Sequence, residues 1–121
     1  MKFVCLIYFD PAEVFNQSAE SNAVLAAVGP HDARLRAGGR LVSSEALTLP
    51  NEAVTVRVRD GRMSATDGPF TETKEMLGGF ILIEAADRDE AVRIAADIPF
   101  ARLGAIEVRP VVDFSKPRPK L

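Results

Sequence analysis

Histidine is the side-chain type that exchanges a proton near neutral pH, and this sequence has one, His31. An imidazole works as a general base when a carboxylate holds its other nitrogen. Asp67 is a candidate for that role, as a catalytic partner of His31. Each has a plainer reading. His31 also fits a histidine hydrogen-bonded at the edge of a core, and Asp67 opens a turn that an Asp side chain caps for its own backbone. An anionic substrate would be gripped by Arg57 and Arg59, which lie two apart and so share one strand face, or by Lys74. The same charges, with Glu72 and Glu75, equally form a solvated surface. Tyr8 is placed to line a cleft from a central strand, and Phe70 to plug the core, a subunit seam or a substrate site. One histidine and one cysteine make no zinc site, so no metal and no cofactor is expected. Gly38-Gly39 and Gly78-Gly79 are too short for a phosphate loop.

The elements that must position these groups are legible from periodicity. Residues 3–9 are apolar on both faces, which marks a covered central strand, and 79–84 repeat the pattern. Val24, Val28, His31 and Leu35 recur at helical spacing over about 18–37, with Gly38-Gly39 as the stop. Pro30 predicts a kink or split in that helix, and the gap beside it would suit a ligand. Residues 41–47 form a second strand. Val54, Val56 and Val58 alternate with Thr55, Arg57 and Arg59, the pattern of a half-buried strand. Asp60-Gly61 turns it back into 62–66. Asp87 with Glu90 three residues on starts a second helix, and Pro99 stops it. A last strand covers 105–112, followed by a Pro- and Lys-containing tail.

The order βαβ–hairpin–βαβ predicts an α+β, ferredoxin-like antiparallel sheet with two helices on one face. A domain over 1–113 with a flexible basic tail, 114–121, is expected. The other sheet face would be left bare and apolar, which predicts a homodimer packed sheet to sheet.

Bulk composition narrows the function. A net charge of −2 gives no general attraction to nucleic acid, so no direct contact is expected. No run approaches the roughly 20 apolar residues of a membrane span, and no leader is visible. With Cys5 unable to pair within the chain, a cytoplasmic protein is expected.

The motif Asp67-Gly68-Pro69-Phe70, followed by Thr71-Glu72-Thr73-Lys74-Glu75 and Leu77-Gly78-Gly79-Phe80, resembles the YCII-related family in its DGPF branch. Met1-Lys2-Phe3, Tyr8, Glu45-Ala46-Leu47, residues 56–61 and Glu107-Val108-Arg109-Pro110 are similar to it as well. The resemblance covers about residues 1–112. It implies a dimeric α/β barrel, a recurrent histidine that falls on His31, and a recurrent aspartate. That aspartate precedes a Pro-aromatic pair, here Pro99-Phe100. The matching position is Ile98, and Asp97 stands one residue earlier, about 100° around a helix, so the resemblance makes Asp97 a second candidate catalytic partner of His31. The branch also occurs fused to sigma-factor domains, which implies a sigma factor as a partner.

Two functions are therefore expected. One is a cofactor-free acid/base enzyme of lyase or isomerase type, acting on a small anionic or aromatic substrate beside His31. The other is a module that binds a small ligand or a transcription factor without chemistry.

Overall fold

The structure is a computed structural model and describes residues 1–117. Four strands form one sheet: β1 (Lys2–Phe9), β2 (Leu41–Ala46), β5 (Met76–Glu84) and β6 (Gly104–Pro110), in the spatial order β2-β5-β1-β6 with every neighbour antiparallel. β3 (Val54–Arg59) and β4 (Arg62–Asp67) make a separate two-stranded sheet. Three helices complete an α+β fold: α1 (Pro11–Val14), α2 (Ala19–Ala37) and α3 (Arg88–Ala96).

Each element begins where the sequence supplies a cap. Asp10 caps α1, a single turn. Ser18 accepts from the Ser21 amide at 3.1 Å and starts α2. Asp87 accepts from the Glu90 amide at 2.9 Å, and the Glu90 carboxylate reaches back to the Ala86 amide, an offset capping box. Glu90 also pairs with Arg40, which ties α3 to the end of α2. Gly39 takes φ +73 after the last turn of α2, and Asp60 and Gly61 take φ 52 and 73 in the hairpin.

Pro30 does not split α2, which runs unbroken over 19 residues. Its missing N–H costs one bond to Ala26, but both residues lie on the exposed side, where water serves the freed carbonyl. Gly29 beside it has open space around it.

The core lies between one face of the sheet and the helices. Phe3, Cys5, Ile7 and Phe9 alternate along β1 and pack with Ile81 and Ile83 of β5, with Ala91 and Ala95 of α3, and with Leu35 of α2. Val4, Leu6 and Tyr8 point to the opposite face beside Phe80 and Leu82 of β5, and all five are only half-buried. The hairpin departs from its expected half-burial. Val54, Val56 and Val58 are 56%, 61% and 60% exposed, because β3 and β4 pair with each other and not with the main sheet.

Asp113 accepts from both the Ser115 amide and its hydroxyl, which lowers its carboxyl. Of the expected basic tail, residues 118–121 lie outside the described residues. Among the described residues no helix is long and apolar enough to cross a membrane.

Burial pushes the Cys5 thiol up from 9.0 to about 11. The unfolded thiol ionises first as pH rises, so the native state keeps its full advantage below pH 9 and loses it between pH 9 and 11. The loss is about 3 kcal/mol at most. Denaturant unfolding of the native protein against Cys5→Ala from pH 8 to 11 should show a falling difference over that window; a constant difference would contradict the burial argument.

Candidate active site

His31 is 5% exposed on the inner stripe of α2, with Val24 and Ser21 above it. Its Nδ1 lies 2.9 Å from Oδ1 of Asp32, the next residue. The Ser44 hydroxyl on β2 donates to the other oxygen, Oδ2, also at 2.9 Å. A carboxylate has only acceptor oxygens, so Nδ1 is the donor and the ring's lone pair sits on Nε2. Among the described residues His31 makes no second hydrogen bond, yet no buried side-chain nitrogen or oxygen lacks a partner. Nε2 therefore reaches open space.

His31 lines a cleft of about 340 Å³ between α2, the β2–β5 edge of the sheet and the turn at Pro99–Arg102. One wall is aromatic. Phe9 stacks on Phe100 with centroids 5.0 Å apart, and Phe15 meets Phe9 edge-on at 5.9 Å. Leu25, Val28, Ile81 and Ile98 line the rest, and Phe15 and Leu25 are exposed at its rim. The polar residues on the lining are His31, Asp32, Ser44 and Glu45; among the described residues it contains no Lys or Arg. A cleft of this size and character fits one substituted ring.

Two glycines shape the floor. At Gly78 a Cβ would fall on the Phe9 ring, and at Gly79 it would stand 2.6 Å from the Glu45 carbonyl oxygen. The pair Gly78-Gly79 thus lets a side chain and a neighbouring strand come close.

The other expected site residues are scattered. Asp97 caps the C-terminus of α3 and lines a second groove of about 440 Å³ together with His31, Arg34, Leu35 and Ile94. It makes no hydrogen bond to the ring. Asp67 is exposed at the end of β4 and lines neither cavity that His31 lines. Its loop is held through the backbone: the Gly68 amide donates to the Ala53 carbonyl and the Thr55 hydroxyl donates to the Gly68 carbonyl. Tyr8 lies on the opposite sheet face, in a wide groove with Leu47, Leu49 and Phe70. Phe70 is 74% exposed and plugs no core of this chain; the Arg57 guanidinium sits 5.0 Å above its ring. Arg59 bonds its neighbour's carbonyl, and Lys74 lies 3.9 Å from Asp10. None of Arg57, Arg59 and Lys74 lines the cleft.

The sequence reading picks out His31 but neither Asp32 nor Ser44. Adjacent residues on a helix point about 100° apart, so Asp32 fails the usual spacing test. β2 carries two adjacent hydroxyls, Ser43 and Ser44, so residue type alone does not single out Ser44.

A family model of the YCII-related domain matches residues 1–115, and the chain belongs to that family. Uncharacterized protein R00369 of Rhizobium meliloti (strain 1021) is 43% identical over 75 residues, 60% of this chain. The matched stretch spans about 60% of that relative's length. Among solved structures, 5-chloro-2-hydroxyhydroquinone dehydrochlorinase (TftG) from Burkholderia phenoliruptrix AC1100, in complex with 2,5-dihydroxybenzoquinone, superposes with a TM-score of 0.55. The match has 20% identity and covers 93% of this chain and 94% of that one. The likeness is one of fold.

Replacing Gly78 by Ala forces the Phe9 ring off Phe100 and should cost about 1–3 kcal/mol, the usual range for overpacking. Thermal unfolding should show a Tm lowered by several degrees. An unchanged Tm would mean that the wall of the cleft yields freely.

Proposed function

We propose that this member of the YCII-related family is a cofactor-free acid/base enzyme that moves a proton on a small hydroxylated ring held in the cleft beside His31. The observation that carries the reading is a buried imidazole, held at Nδ1 by a carboxylate, on the lining of an aromatic, ring-sized cleft. His31 is the base and Asp32 orients it. A proton leaves a ring hydroxyl or ring carbon for Nε2. It then returns at another ring atom, an isomerisation, or the electron pair left behind expels an anion, an elimination. Holding Nδ1–H on Asp32 stabilises the imidazolium formed midway. A lining without Lys or Arg favours the aromatic over the anionic substrate. The structural neighbour, an enzyme that removes chloride from a hydroxylated ring, supports the same substrate class. Asp97, in the groove behind His31, is the alternative carboxylate.

Ring-proton exchange into D₂O, followed by NMR over a panel of di- and trihydroxybenzenes and their chlorinated forms, tests this directly. Chloride release is the second readout. His31→Ala should lower the exchange rate by about 10²–10⁴-fold, the usual worth of a positioned acid or base, with the fold retained by circular dichroism. Asp32→Asn should lower it strongly and Asp97→Asn little. Wild-type exchange in His31→Ala refutes the proposal; the reverse order of the two Asp variants moves the orienting role to Asp97.

The same family reading implies a homodimer. The half-buried stripe Val4, Leu6, Tyr8, Phe80 and Leu82 supports a second copy packed over the open sheet face. Sedimentation velocity should give a dimer for the native chain and a folded monomer for Leu6→Lys. A native monomer would remove this part of the proposal.

A further inference from the structure

Strand β2 carries one residue too many, and the extra residue decides where Ser44 points. Leu41 pairs with Ile83, Ser43 with Leu82 and Ser44 with Ile81, so Val42 is bulged out of the ladder. Side chains alternate along a strand. Three positions on from Leu41, which packs in the core, a regular strand would turn Ser44 to the opposite face. The bulge cancels that flip, and Leu41 and Ser44 both face α2. Ser44 thereby reaches Asp32 from an element that has no other reason to place a hydroxyl there.

Asp32 needs such a partner. It follows His31 directly on the helix, where neighbouring side chains diverge. Its side chain is 18% exposed and has rotamers that lead to water. With Oδ2 held by the Ser44 hydroxyl, Oδ1 is left facing Nδ1 at 2.9 Å.

We propose that Ser44, turned inward by the bulge at Val42, is a positioning residue that holds Asp32 on His31 and so fixes the imidazole tautomer with its lone pair on Nε2. The tautomer claim rests on the geometry alone; its effect on rate rests on His31 being the base.

His31 is the only histidine in the chain, so ¹⁵N-histidine labelling of the whole protein reports this ring without assignment. Long-range ¹H–¹⁵N spectra of the native protein, above the pH at which the ring protonates, should show the Nδ1–H form. Ser44→Ala should give a mixture shifted toward the Nε2–H form that free histidine prefers, with the melting curve unchanged. Ser44→Thr, which keeps the hydroxyl, should restore the native spectrum. In turnover, Ser44→Ala should lower kcat about tenfold and leave KM in place. A native tautomer in Ser44→Ala overturns the positioning role, even where His31→Ala abolishes activity. A native tautomer in Asp32→Ala as well removes the Asp32 contact from which the proposal starts. A shifted tautomer with no turnover in any variant keeps the positioning role and removes the enzymatic reading.

Discussion

In an antiparallel sheet the face a side chain takes is set by its count along the strand, and at both strands that wall the cleft the count is off by one. On β2 the surplus residue is Val42; on β5 it is Gly78, which falls between the pairs Ile7–Gly79 and Tyr8–Leu77. Without the second irregularity Met76 and Ile81 could not both face the helices, as their burial shows they do. Without the first, the hydroxyl of Ser44 would lie on the wrong side of the sheet. Both corrections fall beside the same cavity, so the site and its surrounding core rest on one constraint.

Polar and apolar parts of the site then do different work. Aromatic rings supply a flat wall and exclude water, and an excluded site strengthens the few electrostatic contacts that remain. Three residues from two elements make a single line of hydrogen bonds, serine to aspartate to histidine, running from the sheet edge into the helix. Two cationic side chains are engaged away from the cleft: Arg57 of β3 lies over Phe70, and Arg40, just past the end of α2, pairs with Glu90.

The sequence exposes local structure far better than it exposes partnership. Capping residues, the Asp60-Gly61 turn and the stripe Val24–Val28–His31–Leu35 are written in spacing, because each depends on neighbours within one or two turns. The split βαβ arrangement follows from their order. The Asp32 contact is invisible to spacing, since it runs against the divergence of adjacent helical side chains, and the contact from Ser44 depends on a bulge that no residue type announces. Pro30 reads as a break because its local cost is real, yet the exposed side of a long helix absorbs it. The valines of β3 read as half-buried because their alternation is genuine, while the surface meant to cover them is not part of this chain's main sheet.

That last feature sets a hierarchy of local stability. A ribbon of two strands with both long edges open is marginal by itself, and β3–β4 shares no ladder with the four-stranded sheet. Its amide groups can open to solvent without disturbing β1, β5 or α2, so the ribbon forms a separate, weak cooperative unit. Melting of the hairpin and loss of the cleft are distinct events in this fold, and whatever surface the valines meet draws its ordering cost from the ribbon alone.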